Sequence, residues 1–274
     1  MDFINRLLNG LFDLLLGPLA NYSPWIAMCV ATALLTALLL LVFKYTSRPE
    51  AIRKSKGRLI ARTLELLLFQ HDLGVSITAV GRILWANTLY LKELLVPLAV
   101  ALIIAVPLLA QCAAWFEHRP LRVGESALLE VQLAENSPAA SAKKSQLAAP
   151  TVAQIDTQPL AIPSLHEMNW RVSGREAGAG MFKVDVGETQ LDKSVVVGDG
   201  LARVSPLRPA SGDYWSRILY PSEPALVDPA QSATLHYPPR HWYIGTWDLN
   251  WLVVLFVLSI VFGFALKKPL GVTL

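Results

Sequence analysis

Charge is scarce in this 274-residue sequence. Asp, Glu, Lys and Arg make up 16% of it, against the roughly 25% usual in soluble domains. Three stretches, residues 25–43, 94–116 and 249–266, contain none of the four. A soluble domain keeps charge on its surface, so uncharged blocks of this length in a chain that is 53% hydrophobic exclude an ordinary soluble globular class. Cysteine is nearly absent. Cys29 and Cys112 are the only two, and both fall inside uncharged stretches, which excludes a disulfide framework or a thiolate metal site. The five histidines are scattered without HExxH, HxxxH or CxxC spacing, so no pair of metal ligands is set on one helix face. A GxSxG elbow and a GxxxxGK phosphate loop are missing too. We therefore expect no catalytic residue, no bound metal and no cofactor, and a protein that is not an enzyme.

What is present is apolar length. A helix needs about 20 apolar residues to cross roughly 30 Å of hydrocarbon, and each uncharged stretch is close to that. We read three transmembrane helices, 25–43, 94–116 and 249–266. Aromatic residues stand at their ends: Tyr22 and Trp25 before the first, Trp115 within the last turn of the second, and Trp242, Tyr243, Trp247 and Trp251 around the start of the third. Such rings favour the headgroup layer. Residues 1–20 carry Asp2 and Asp13 and lack a basic start with a small-residue cleavage site, so we expect them to be retained.

The orientation follows from short-loop basic residues. Residues 44–93 hold nine, Lys44, Arg48, Arg53, Lys54, Lys56, Arg58, Arg62, Arg82 and Lys92, against four acids. That loop is expected on the cytoplasmic side. The N-terminus and residues 117–246 are then outside, and the tail 267–274 is cytoplasmic, as in a protein of a bacterial inner membrane. The formal charge of +3 is a topology signal of this kind, and no nucleic-acid partner is expected.

Periodicity organises the rest. Residues 1–20 place Phe3, Ile4, Leu7, Leu8, Leu11 and Phe12 around Asn5, Asn9 and Asp13 at helical spacing, as in a helix lying in the membrane interface. Residues 44–92 form two helical arms broken near His71 to Gly74, the second running into the second crossing, with Pro97 and Pro107 expected to kink it. In 117–246 the spacing changes to two: Leu129, Val131 and Leu133; Met168, Trp170 and Val172; Phe182, Val184 and Val186; and a late strand near Thr234 to Tyr237. These are half-buried strands, enough for a small external β-sandwich-like domain. Residues 135–159, rich in Ala, Ser, Gln and Pro, read as a mobile loop.

The order of parts up to residue 110 resembles the core of the YidC insertase superfamily. It is carried by residues 8–24 (LNGLFDLLLGPLANYSP), the crossing 25–43, the hairpin 48–92 and the returning crossing with Pro97 and Pro107. With the third crossing, the likeness covers about half the chain and is to the short three-helix members. The resemblance implies a membrane-protein biogenesis factor that binds clients without covalent chemistry in a shallow membrane groove. On that reading Arg53, Lys54, Lys56, Arg58 and Arg62 meet lipid, client or ribosome, and Thr32, Thr36 and Gln111 line the groove. The first crossing has Thr32 and Thr36 where the family places a positive charge, and the chain carries a large external domain between its second and third crossings. An alternative reading is therefore a non-enzymatic accessory or scaffold subunit of a larger cell-envelope complex, docking through its external β-domain.

Overall fold

A computed structural model describes residues 2–47, 49–68, 73–134, 146–186 and 189–271. Helix α1 (Asp2–Leu16) is followed by a 3-10 turn (Gly17–Leu19) and α2 (Pro24–Thr46). Pro24 suits the first helical position, where its missing N–H is not needed, and the Leu- and Ala-rich run behind it has neither glycine nor a second proline to interrupt it. Helix α3 (Pro49–Leu68) and α4 (Leu73–Phe116) follow. Of the expected break, His71 and Asp72 lie outside the described residues. Helix α4 continues through Pro97 and Pro107 without interruption over 44 residues.

Among the described residues, two helices are long and apolar enough to cross a membrane, α2 and the Val80–Phe116 part of α4. The third apolar helix, α6 (Trp251–Lys267), has 17 residues. It starts two residues later than the uncharged stretch because Leu249 belongs to a strand.

The intervening segment is antiparallel β-structure. Its strands are β1 (Ser126–Leu133), β2 (Gln146–Ala148), β3 (Ala153–Ile155), β4 (Leu160–Ile162), β5 (Glu167–Gly174), β6 (Gly178–Val186), β7 (Thr189–Val197), β8 (Leu207–Pro209), β9 (Ala230–Leu235), β10 (Trp242–Ile244) and β11 (Trp247–Leu249), with a short helix α5 (Tyr214–Leu219) before β9. One sheet has the order β3-β5-β1-β9-β8, with β4 also on β5; a second is β2-β6-β7; and β10-β11 is a separate hairpin. The central strand β1 pairs on one side with β5, Leu129 opposite Trp170, and on the other with β9, Leu129 opposite Leu235.

The two larger sheets share one apolar core. Leu129, Val131, Trp170, Val172, Phe182, Val184, Val195 and Leu235 are all in it and almost wholly buried. The period-two residues read from sequence for β1 and β5, with Phe182 and Val184 of β6 and Leu235 of β9, lie in it, as alternation of side chains across a pleated strand requires. Of residues 135–159, expected as a mobile loop, 135–145 lie outside the described part; in 146–159, β2 and β3 pair with β6 and β5. Gly187 and Glu188, between β6 and β7, also lie outside the described residues.

The chain divides into two compact units. One comprises Met1–Thr32 and Val106–Leu258, the other Ala33–Ala105 and Ser259–Leu274. The first holds the β-structure, α1 and α5. The second holds α3 and most of α2 and α4; there the Lys44 ammonium donates to the Leu270 carbonyl at 2.7 Å.

Candidate functional site

On α3, Arg53, Lys54, Lys56 and Arg58 are exposed, and Arg62 lies on the same helix. Ile60 and Leu64 are each 53% exposed. Arg53, Lys56, Ile60 and Leu64 stand at i, i+3, i+7 and i+11, so they share one face. Ser55, on the opposite side, is buried. The exposed face of this helix is therefore mixed, two cations followed by two branched apolar residues.

Thr32, Thr36 and Gln111 are buried, at 0%, 8% and 0% exposure. Gln111 donates its side-chain amide to Asn9 Oδ1 at 2.7 Å, while the hydroxyls of Thr32 and Thr36 have no hydrogen-bond partner among the described residues. Nor is the polar stripe of α1 turned to solvent. Asn5 Nδ2 donates to the Arg217 carbonyl at 3.2 Å, Asn9 Nδ2 to the Pro221 carbonyl at 3.0 Å, and Asp13 pairs with Arg203 at 3.2 Å. Asn5, Asn9 and Asp13 are spaced four apart, so one face of α1 fastens it to α5 and the loops beside it. The opposite face leaves Phe3, Ile4, Leu7, Leu11 and Leu14 exposed.

A second fastening is aromatic. Trp242 of β10 is 1% exposed, meets Trp25 of α2 edge-to-face at 5.1 Å between centroids, and donates its indole N–H to the Phe116 carbonyl at 3.1 Å. That bond satisfies a carbonyl in the last turn of α4, which has no intrahelical partner. A few residues on, Arg119 grips Glu125 through two bonds of 2.7 Å, and Glu125 also accepts the Arg122 backbone N–H at 2.9 Å. Hydrogen bonding from Arg119 holds the Glu125 carboxyl below its ordinary range.

The least expected group is Lys193 on β7, whose side chain is wholly buried. Its ammonium donates to Glu223 Oε2 at 2.5 Å, to the Ser205 carbonyl at 2.6 Å and to Ser205 Oγ at 3.3 Å. Ser205 Oγ donates to the same Glu223 oxygen at 2.6 Å, and Glu223 Oε1 accepts the Ser194 N–H at 2.8 Å. Desolvation lowers the Lys193 pKa while the Glu223 carboxylate pulls it back up. Burial would raise the Glu223 pKa, but Lys193 and its hydrogen bonds outweigh this and hold it below the usual carboxylate range. A serine beside a lysine suggests nucleophilic catalysis. Here the three ammonium protons are all engaged, the serine proton is directed at a carboxylate, and Ser205 is 4% exposed. The group is built to tie β7 to the loops 201–206 and 222–224. The signal in the sequence was its register: Leu191, Lys193, Val195 and Val197 are alternate residues, which puts a lysine on the inward face.

Among the described residues, no three His, Cys, Asp or Glu side chains gather to hold a metal ion. Comparison with protein-family models, with curated proteins and with solved structures gives no match.

Proposed function

We propose that the chain is an integral membrane protein that assists the biogenesis of other membrane proteins by non-covalent binding, as its resemblance to YidC-type insertases implies. Helices α2, the Val80–Phe116 part of α4, and α6 cross the bilayer. The basic segment 44–92 is cytoplasmic and the β-structure lies on the far side, in keeping with the positive-inside rule. The observation that carries the reading is the exposed mixed face of α3, where Arg53 and Lys56 precede Ile60 and Leu64. A cationic and apolar face of this kind suits a nascent hydrophobic segment or an anionic lipid surface, each basic residue near such a surface contributing about 1 kcal/mol. Burial of Thr32, Thr36 and Gln111 moves the proposed contact from a polar groove to this helix.

Photocrosslinkers at Ile60 and Leu64 in native membranes test the proposal. Capture of many newly made membrane proteins is expected, together with impaired insertion when Arg53, Lys54 and Lys56 are changed to Glu. Normal insertion in that variant, with its topology intact, would reject it.

A second reading, an accessory or scaffold subunit of an envelope complex, is favoured by the β-domain's firm attachment to α1 and to the ends of α2 and α4. Under it, the crosslinkers on α3 capture nothing. A crosslinker on an exposed β-domain residue such as Met181, which is 60% exposed, captures one fixed partner.

A further inference from the structure

The hairpin β10-β11 connects the β-domain to α6 and has two unlike faces. Its register sets Trp242 opposite Leu249, Tyr243 opposite Asp248 and Ile244 opposite Trp247. Residues directly opposite point the same way, and neighbours along a strand point opposite ways. One face is therefore Trp242, Leu249, Ile244 and Trp247, and the other is Tyr243 and Asp248. The second face is polar: His241 Nδ1 lies 2.6 Å from Asp248 Oδ2, and the His241 ring stacks on Tyr243 at 5.9 Å.

The apolar face begins buried and ends bare. Trp242 is 1% exposed against Trp25 and Phe116, at the start of α2 and the end of α4, whereas Ile244 is 54% and Trp247 72% exposed at the tip. The turn between them is tight, with Gly245 at φ +64° in the first central position, where a two-residue hairpin loop favours glycine. The joint to α6 is equally short. Only Asn250 separates β11 from α6, and its side chain caps the helix by accepting the Leu252 N–H at 2.9 Å. An apolar surface seated on the ends of two helices at one end and bare at the other is joined to the apolar helix α6 through a single capping residue.

We propose that this hairpin is a lipid-docking element, with Ile244 and Trp247 lying in the interfacial layer of the leaflet where α6 begins and Tyr243, His241 and Asp248 facing water. The proposal rests on the membrane-spanning reading above. An indole ring with an apolar body and one N–H suits that layer.

The test is site-directed spin labelling of the full chain, with Cys29→Ser and Cys112→Ala, in phosphatidylcholine vesicles. Single cysteines replace Ile244, Trp247, Tyr243 or Asp248, with labels at Leu34 and Leu38 on α2 as references. Variants that keep the parent's melting temperature are compared for collision with oxygen, which concentrates in lipid, and with a water-soluble nickel chelate. Labels at 244 and 247 should be rich in oxygen contact and several-fold poorer in chelate contact than those at 243 and 248. Chelate contact equal at all four, with 34 and 38 still lipid-like, overturns the docking proposal and leaves the membrane reading standing. Chelate contact at 34 and 38 removes both. Shielding of 244 and 247 from both reagents overturns it in favour of a protein cover, a second copy of this chain.

Discussion

Gln111 of α4 donates to Asn9 of α1 at 2.7 Å, and Asn9 in turn donates to the Pro221 carbonyl at 3.0 Å. One asparagine thus joins a helix whose apolar length suits a bilayer to a loop of the β-domain. The Gln111 end of this chain of bonds has no water as a substitute, since Gln111 is wholly buried.

Replacing that asparagine is the first test. Asn9→Leu leaves the Gln111 amide and the Pro221 carbonyl without their partner, and stranding buried polar groups costs about 1–3 kcal/mol. Thermal unfolding of the full chain in mild detergent should shift down accordingly. Adding Gln111→Leu should return part of the loss, because both partners are then apolar; a double variant as unstable as the sum of the singles would show that the bond carries no coupling.

The buried pair on β7 gives a larger effect. Glu223→Gln leaves Lys193 buried without a counter-charge, at a cost of about 3–5 kcal/mol. Lys193→Met together with Glu223→Gln should recover most of it. Calorimetry of the two variants beside the parent decides this, and a fully tolerated Glu223→Gln would show that Lys193 is not charged in the folded protein.

The same pair makes stability depend on pH with a definite sign. The carboxyl of Glu223 is held below its ordinary value of 4.5, so the unfolded chain takes up a proton first. Its contribution is present above about pH 4.5 and is lost as pH falls through the folded value. Melting temperature on acidification should fall more steeply for the parent than for the Lys193→Met, Glu223→Gln double variant. Parallel profiles would assign the acid sensitivity to other carboxylates.

Gly174, the last residue of β5, tests close packing. A Cβ there would stand 2.6 Å from the Arg122 carbonyl oxygen and 2.8 Å from Val197 Cγ1. The first obstacle is backbone and cannot swing away. Gly174→Ala should cost about 1–3 kcal/mol as overpacking, read as a lowered melting temperature, whereas Gly212→Ala, with nothing within 4 Å of the new atom, should be close to neutral.

Topology has its own measurement. Single cysteines at the exposed positions Arg58 and Arg175, in the background lacking Cys29 and Cys112, should react differently with an impermeant maleimide on intact cells. Only the one at 175 should be modified before lysis. The reverse pattern would invert the proposed orientation.

The long strands and apolar helices were legible because their periods run for many residues. Leu129, Val131 and Leu133, or Phe182 and Val184, announce an inward face through repetition. Strands β2, β3, β4 and β8 have three residues each, too few to display a period, and part of the expected loop is strand for that reason. Site residues were less legible. Arg53, Lys54, Lys56 and Arg58 on α3 are exposed as the sequence implies, but whether Thr32, Thr36 and Gln111 meet solvent depends on what packs over them. Lys193 was readable in principle from its register; its partners were not, because Glu223 is 30 residues away along the chain.

The pairing of β1 with β9 also bears on how the domain comes into being. Leu129 opposes Leu235, so the central strand is made about a hundred residues before one of its two neighbours. Contacts so distant in sequence slow folding, since a long loop must close before they form. During synthesis, β1 waits with one edge unpaired until β9 emerges, and β9 ends at Leu235, shortly before Trp251 opens α6. Closure of the six-stranded sheet and release of the last apolar helix are thus nearly simultaneous events, and a delay in either leaves an unpaired strand edge open to aggregation.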